Sequence, residues 1–239
     1  AQSSGRRLRA AMVGGGQGAF IGAVHRLAQR LDGDIELVAG AMHADPEIAV
    51  ASALELGIAE DRAHRTWMEL LEDEKKRPED ERVDFVTIVT PNFLHAPIAL
   101  AFVEAGINVV CDKPLCLTEE EAAELVAARE ESGVVFAVTY NYTGYPMVRE
   151  ARARIANGEI GQVRRVFVEY HQGWLATRLE DSGQQQASWR TDPSKAGVGG
   201  AVGDIGSHAE NLVSFVTGLE IESVAVSYTH LRAHETPCH

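Results

Sequence analysis

The chain has 239 residues, of which 45% are hydrophobic and 24% charged, as expected for a globular protein with one large domain or two modest ones. Its formal net charge of −13 argues against nucleic acid and against a membrane surface as partners. No apolar run approaches the roughly 20 residues that cross a bilayer. The three cysteines form no paired framework, which favours a reducing, cytoplasmic compartment.

The sequence up to Thr139 alternates between short apolar segments and helical patterns. We predict strands over residues 10–13, 35–41, 85–90, 107–111 and 134–139, and helices over residues 20–31, 46–56, 66–76, 95–105 and 118–132. Asp45 is a predicted N-cap, and Thr118 with Glu121 forms a predicted capping box. This alternation predicts an α/β domain, residues 1–138, whose parallel sheet is covered on both faces by helices.

The pattern changes after Tyr140. We predict helices over residues 147–157 and 208–217, an alternating strand over 163–172 and the start of another strand over 221–224, with an irregular stretch over 175–202. This mixture predicts a second, α+β domain over residues 139–225 that stops early. We therefore expect a C-terminally truncated chain whose second domain is under-packed.

The last residues have an unusual sequence. Residues 226–236 read Val-Ser-Tyr-Thr-His-Leu-Arg-Ala-His-Glu-Thr, which matches residue for residue the translation of a transposase adapter used in short-read sequencing. We therefore interpret residues 226–239 as a non-native tail and expect the true coding sequence to end near Ala225. On this interpretation His230, His234 and Cys238 bind no metal, although their spacing resembles that of metal ligands.

A glycine-rich loop follows the first predicted strand. Gly14, Gly16 and Ala19 fit the dinucleotide fingerprint G-x-G-x-x-A, in which small residues let the backbone approach a pyrophosphate at a helix N-terminus. We expect that helix to begin at Phe20-Ile21. An insertion of three residues would instead make Gly22 the third small position. Either alignment predicts that a nucleotide cofactor binds at this loop.

The end of the second predicted strand does not decide which nicotinamide cofactor binds. An acidic residue there would favour NAD by accepting a hydrogen bond from the ribose 2′-hydroxyl. The chain reads Gly40-Ala41-Met42-His43-Ala44-Asp45 at this point, and Asp45 is better used as an N-cap. His43 could lie near a 2′-phosphate or be an exposed loop residue. The predicted cofactor is therefore NAD or NADP.

Three further motifs bring together residues that can move a proton. Thr90-Pro91-Asn92 with His95 follows one buried strand, Asp112-Lys113-Pro114 follows the next, and Asp204 and His208 stand four residues apart, on one face of a helical turn. Taking a proton from a secondary alcohol requires an imidazole as base, a carboxylate to orient it and an ammonium to stabilise the alkoxide. Each motif alone also fits a capping Asp, a satisfied His or a surface Lys.

These motifs together resemble the Gfo/Idh/MocA family, the group of glucose–fructose oxidoreductase and inositol dehydrogenase. The matching features are the glycine loop, Thr90-Pro91-Asn92 with His95, Asp112-Lys113-Pro114 at the family's E-K-P position, and Gly199-Gly200 before Asp204 and His208. The resemblance implies a doubly wound Rossmann domain and a second domain that mediates oligomerisation, hence a native homo-oligomer. It also implies hydride transfer to or from a small-molecule sugar or polyol.

The resemblance further implies roles for individual residues. Lys113 and His208 would be catalytic, Asp204 would bind substrate beside His208, and Pro114 would follow a cis peptide bond. The cofactor would be contacted by Gly14, Gly16, Ala19, Phe20, Ile21, Thr90, Pro91, Asn92, His95, Asp112, Lys113 and Pro114. Tyr142 would contact substrate and Trp189-Arg190 the cofactor, unless either is only packing. The chain departs from the family at Asp112, where Glu is usual, and at Asn211, where many relatives have Asp.

These features predict an NAD(P)-dependent oxidoreductase that acts on a secondary alcohol of a sugar, a sugar derivative or a cyclitol, with His208 as the base and Lys113 polarising the oxygen. A non-catalytic nucleotide-sensing or regulatory protein is an alternative, because a fold does not determine function. The presence of Lys113, Asp204 and His208 together counts against it. A third alternative, transient oxidation by bound NAD during glycoside cleavage, requires the same site.

Overall fold

The structure, a computed structural model, describes residues 5–171, 173, 177, 179–183, 187, 192, 200 and 202–225. The chain divides into two units, the first from Ala1 to Thr139 and the second from Tyr140 to His239. The predicted tail over 226–239, the predicted cofactor loop at Trp189-Arg190, and Gly199 lie outside the described residues.

Five strands form a parallel sheet in the first unit: β1 (Leu8–Gly14), β2 (Ile35–Ala41), β3 (Phe85–Val89), β4 (Asn108–Cys111) and β5 (Phe136–Val138). Their spatial order is β2-β1-β3-β4-β5, and every neighbouring pair is parallel. The order reverses between β1 and β3. In open α/β sheets, ligands bind at the carboxyl ends of the strands beside such a reversal.

Five helices connect these strands: α1 (Phe20–Arg30), α2 (Pro46–Glu55), α3 (Trp67–Lys76), α4 (His95–Glu104) and α5 (Glu119–Ser132). The predicted caps are confirmed. The Asp45 carboxylate accepts hydrogen bonds from the N–H groups of Glu47 and Ile48, and Thr118 forms a capping box with Glu121. All predicted elements of this unit are present with ends displaced by at most two residues.

Helices pack on both faces of the sheet, as the sequence pattern predicts. Ala11 and Val13 of β1 belong to a core cluster that includes residues of α3, α4 and α5, among them the fully buried Phe102. Met12, between them in sequence, belongs to a second cluster with Ala53 of α2. Strands covered on both faces are largely apolar, because neither row of side chains meets water.

The second unit contains α6 (Pro146–Ala156) and α7 (Ser207–Thr217), both predicted to within one residue. A short 3-10 helix, Asn141–Gly144, precedes α6, and a π-helical turn, Val202–Gly206, leads directly into α7. The guanidinium of Arg152 on α6 lies 4.4 Å from the ring centroid of Phe215 on α7. Within the described parts of both units, no helix is long and apolar enough to cross a membrane.

The predictions of two strands in the second unit, over residues 163–172 and 221–224, are wrong. Residues 163–171 and 221–225 have no regular secondary structure, and neither segment pairs with another among the residues that are described. Alternating apolar residues predict which face of a strand is buried but not the neighbouring strand whose backbone groups it must bind. The expected under-packing is confirmed for the described residues, since Ala187 and His208 are the only buried ones in this unit.

Candidate active site

The glycine loop at the end of β1 has a backbone that few other residues could adopt. Gly14, Gly15 and Gly18 have φ angles of +79°, +77° and +75°, in the left-handed region where a Cβ is strained. The loop is held from the side: the Arg26 guanidinium donates to the Gly15 carbonyl at 2.6 Å, and the Gln17 N–H donates to the Ser52 hydroxyl at 3.1 Å. Neither contact was foreseen from the sequence.

Two of the glycines are required by close packing. A Cβ at Gly16 would lie 2.5 Å from the Met42 carbonyl oxygen and 2.7 Å from the Ser52 hydroxyl. A Cβ at Gly22 would overlap the backbone of Gly15. Gly22 therefore allows α1 to approach the loop, which places it in the role of the third small residue of the fingerprint. Ala19, the other candidate for that position, is half-buried.

The N-terminus of α1 is suited to an anion. Its N-cap residue Ala19 makes no side-chain capping bond, and its first turn from Phe20 carries no acidic residue. By contrast, α2 is capped by Asp45 and α5 by Thr118. The first backbone N–H groups of a helix lack partners within it and attract negative charge. The loop and helix therefore fit the pyrophosphate of a dinucleotide, and the contacts of the individual residues with it stay predictions.

Residues 40–45 at the end of β2, all of which the structure describes, offer no free carboxylate to a ribose. Asp45, the acidic residue nearest the strand end, accepts the two N–H bonds of the α2 cap at 2.9 and 3.1 Å. His43 is oriented by its own hydrogen bond, in which Nδ1 accepts from the Asp45 N–H at 2.9 Å. Asp45 therefore serves as a helix cap at this end of the site.

The predicted Thr90-Pro91-Asn92 motif follows β3, and Asn92 begins a 3-10 turn that runs into α4 at His95. His95 is 1% exposed. Its Nδ1 lies 2.7 Å from the Pro114 carbonyl oxygen and its Nε2 lies 2.8 Å from the Thr90 carbonyl oxygen. The structure therefore joins two of the predicted motifs, through a contact that the sequence did not indicate.

Asp112 and Lys113 directly follow β4, at the same edge of the sheet. The peptide bond between Lys113 and Pro114 is cis, as predicted. The Asp112 carboxylate accepts a hydrogen bond from the Thr139 hydroxyl at 2.7 Å and lies 3.9 Å from Nε2 of His25. Burial alone would raise the pKa of Asp112, but the interactions with His25 and Thr139 outweigh it and lower that pKa.

His208, at the start of α7, is 7% exposed and packs against two tyrosine rings. Its ring centroid lies 4.7 Å from that of Tyr142 and 5.6 Å from that of Tyr140, the latter edge-on. Asp204 lies one turn earlier, in the π-helical segment rather than in a regular α-helical turn. Insertions of this kind are common at functional sites.

The phenol of Tyr142 interacts with Tyr170 and with the charge of Asp204, and both raise its pKa. Its oxygen is hydrogen-bonded to that of Tyr170 at 2.8 Å. This hydrogen bond, together with burial and the nearby negative charge of Asp204, raises the pKa of Tyr142 to about 12. Tyr142 therefore stays a neutral hydroxyl near neutral pH. The structure brings together the three predicted substrate-binding residues Tyr142, Asp204 and His208, and it adds Tyr140 and Tyr170.

Among the described residues, no group of three or more His, Cys, Asp or Glu side chains is arranged to hold a metal ion. Cys111 and Cys116 are free thiols. Lys113 belongs to the first unit and His208 to the second, so their approach to one another stays a prediction.

A parallel sheet of this strand order, with a glycine loop beside the point where the strand order reverses, defines the dinucleotide-binding Rossmann class. The chain matches the family model described as "Oxidoreductase family, NAD-binding Rossmann fold" over residues 8–140 and that of the GFO/IDH/MocA C-terminal domain over residues 148–237. The chain therefore belongs to the GFO/IDH/MocA family of oxidoreductases, and its first unit is an NAD-binding Rossmann domain. The predicted family, fold and class of cofactor are confirmed.

Two proteins illustrate the similarity in sequence. An uncharacterized oxidoreductase of Bacillus subtilis, YfiI, is 36% identical over 84% of this chain and 51% of its own length. Levoglucosan dehydrogenase of Pseudarthrobacter phenanthrenivorans is 32% identical over 89% of this chain and 52% of its own length. The chain thus spans about half the length of the curated relatives it matches.

Solved structures show the same likeness in three dimensions. An inositol dehydrogenase homolog from Azotobacter vinelandii complexed with NAD+ aligns with a TM-score of 0.85 and 38% identity, over 90% of this chain and 54% of its own. The structure of an inositol dehydrogenase homolog from the same organism with NADH and myo-inositol aligns with a TM-score of 0.81 and 35% identity, over 90% of this chain and 53% of its own.

Proposed function

We propose that the chain is part of an NAD(P)-dependent dehydrogenase or reductase acting on a secondary alcohol of a sugar, a sugar derivative or a cyclitol. The observation that carries this proposal is the nearly buried imidazole of His208, packed on Tyr140 and Tyr142 and preceded by Asp204. A base, a carboxylate and neutral hydroxyls are the groups that a polyol substrate needs around its reacting carbon. The relatives named for levoglucosan and inositol support the substrate class.

The first unit supplies the groups that would hold the cofactor. The pyrophosphate would bind Gly14, Gly16, Ala19 and the N–H groups of Phe20 and Ile21, where the glycine loop meets an uncapped helix. The rest of the dinucleotide would lie along the segments after β3 and β4, which carry Thr90, Pro91, Asn92, Asp112, Lys113 and Pro114. When bound, the nicotinamide accepts or supplies the hydride.

In the proposed reaction, side chains of both units would accept the substrate proton and stabilise charge on the substrate oxygen. In the oxidation direction His208 takes the hydroxyl proton, while the hydride leaves the same carbon and a carbonyl remains. Asp204 orients the imidazole, and Lys113 stabilises negative charge on the substrate oxygen. Tyr142, held as a neutral phenol by Tyr170, donates or accepts a hydrogen bond at a second hydroxyl of the substrate.

The experiment that tests this function is a screen of the full-length protein for nicotinamide reduction and oxidation over a panel of sugars, glycosides and cyclitols, with both NAD and NADP. Turnover of at least one polyol would support the proposal. Dinucleotide binding without turnover of any substrate would favour the regulatory alternative. Release of an aglycone from a glycoside with no net accumulation of reduced cofactor would instead identify NAD-assisted cleavage.

Two further expectations accompany this proposal. We infer that the full-length protein forms a homo-oligomer, which sedimentation or light scattering would test. We also infer a cytoplasmic location, because the described thiols Cys111 and Cys116 are unpaired and nicotinamide cofactors are intracellular metabolites. Fractionation of cells that express the full-length protein would test that location.

A further inference from the structure

One buried side chain connects two segments at the carboxyl edge of the sheet in the first unit, Thr90-Pro91-Asn92 and Asp112-Lys113-Pro114. The imidazole of His95 contacts the Thr90 carbonyl after β3 and the Pro114 carbonyl after β4, at 2.8 and 2.7 Å. These strands are neighbours in the sheet. We propose that His95 is a positioning residue that sets the separation of these two segments, and that it does not itself contact the cofactor.

The composition of the two segments explains why a side chain is needed here. Pro91 follows Thr90, and Pro114 carries the second carbonyl, and neither proline has a backbone N–H. Neither proline can therefore donate a backbone hydrogen bond to the other segment. Carbonyl oxygens only accept, so a neutral ring donates one hydrogen bond, from whichever nitrogen carries the proton, and a protonated ring donates both. The two nitrogens of an imidazole project in different directions, which lets one ring reach both segments.

Burial makes the arrangement rigid. With 1% of its surface exposed, His95 has no water to replace a lost carbonyl partner, and an unpaired polar group in the interior is costly. A shift of either segment relative to the other would break one contact. Small displacements of groups that orient a reacting substrate or cofactor have large effects on binding and rate. This role depends on the proposed function, in which these segments lie along the dinucleotide and carry Lys113.

The opposite end of the same strands offers a matched control. Asn108, at the amino end of β4, also bridges two backbone groups: its amide donates to the Asp84 carbonyl at 2.7 Å and accepts from the Val135 N–H at 2.8 Å. Asp84 immediately precedes β3. Asn108 thus connects neighbouring segments of this sheet as His95 does, but at the edge away from the proposed cofactor site.

The test compares His95→Gln with Asn108→Ala in the 239-residue chain. Both N–H donors of the glutamine amide lie on one nitrogen, and the other terminal atom is an acceptor, so glutamine cannot present donors to the two carbonyls from the separate positions of the two ring nitrogens. We expect both variants to melt at a lower temperature than the unchanged chain. Only His95→Gln should weaken NAD or NADP binding measured by calorimetry, on the order of tenfold to a hundredfold, while Asn108→Ala stays within about twofold. Equal affinity in the two variants would overturn the proposal.

Two other outcomes are distinguishable. If the unchanged chain binds neither dinucleotide, that result contradicts the proposed function. The role proposed for His95 is then contradicted as well. If His95→Gln does not fold, nuclear magnetic resonance of the unchanged chain with ¹⁵N-labelled histidine decides the matter. A ring N–H of His95 that is protected from exchange, and whose signal shifts on addition of NAD, supports the positioning role. A ring N–H in free exchange with water overturns it.

Discussion

The two units of this chain differ in how they exclude water. In the first unit, neighbouring strands and helices bury apolar residues such as Met12, Ile98 and Phe102 completely. In the described part of the second unit, Phe167 is 79% exposed and Val224 73%. The first unit has an exception of its own on α1, whose residues Phe20 and Leu27 are largely exposed. A sheet covered by helices on both faces keeps its apolar residues away from water, whereas two helices beside unpaired segments do not.

The largest expected effect is in the glycine loop of the well-packed unit. Gly16→Val should abolish binding of NAD and NADP, because its Cβ alone would lie 2.5 Å from the Met42 carbonyl oxygen and 2.7 Å from the Ser52 hydroxyl. Calorimetric titration is the measurement. Gly33→Ala is the control, since nothing lies within 4 Å of its Cβ and its φ is +75°, so this substitution strains the backbone without filling any space near the loop. Unchanged affinity in Gly16→Val would contradict the placement of the cofactor.

The next effect concerns the loosely packed unit. In the full-length enzyme, His208→Ala should lower kcat by about 10²–10⁴-fold, the loss expected for a positioned base, and should leave cofactor affinity unchanged. His171→Ala is the matched control, because His171 lies in the same unit with 90% of its side chain exposed. Near-normal turnover of His208→Ala would remove the base from the proposed mechanism.

A third prediction tests the difference in packing directly. Phe102→Ala should lower the free energy of unfolding by about 3–5 kcal/mol, because it opens a cavity in a fully buried core. Phe167→Ala should change that free energy by less than about 0.5 kcal/mol, as is usual for exposed positions. Chemical denaturation monitored by circular dichroism measures both. A comparable loss in Phe167→Ala would show that the second unit packs this ring in solution.

A smaller effect should depend on pH. The pKa of Asp112 is lowered in the folded chain, so its ionised form contributes stability above its unfolded pKa, and this contribution is lost as the pH falls through the folded pKa. Thr139→Val removes one of its hydrogen bonds and should cost about 1 kcal/mol at neutral pH, with the difference shrinking in acid. Thr143→Val, which loses a bond to the neutral Tyr140 carbonyl, should show no such dependence. Denaturation at several pH values distinguishes them.

The smallest expected effect is that of deleting residues 226–239. If they are a non-native tail, the free energy of unfolding should change by less than about 0.5 kcal/mol. A large fall in melting temperature after the deletion would mean that these residues are an integral part of the second unit.

The sequence by itself determined most of the first unit, because its helices and strands depend on local features. Asp45 and Thr118 cap helices through N–H groups two or three residues away, and the glycine loop follows directly from its strand. Part of the candidate site was predictable in the same way. Asp204, His208 and Tyr142 carry recognisable chemistry, and the structure brings them together.

Only the tertiary structure decided which distant groups meet. No local pattern links His95 to Pro114, Arg26 to Gly15, or Tyr170 to Tyr142. The same reason explains the wrong strand over 163–172. A helix closes its hydrogen bonds within four residues, whereas a strand acquires its bonds from a segment that may be far away in sequence. Alternation in one segment contains no information about that partner.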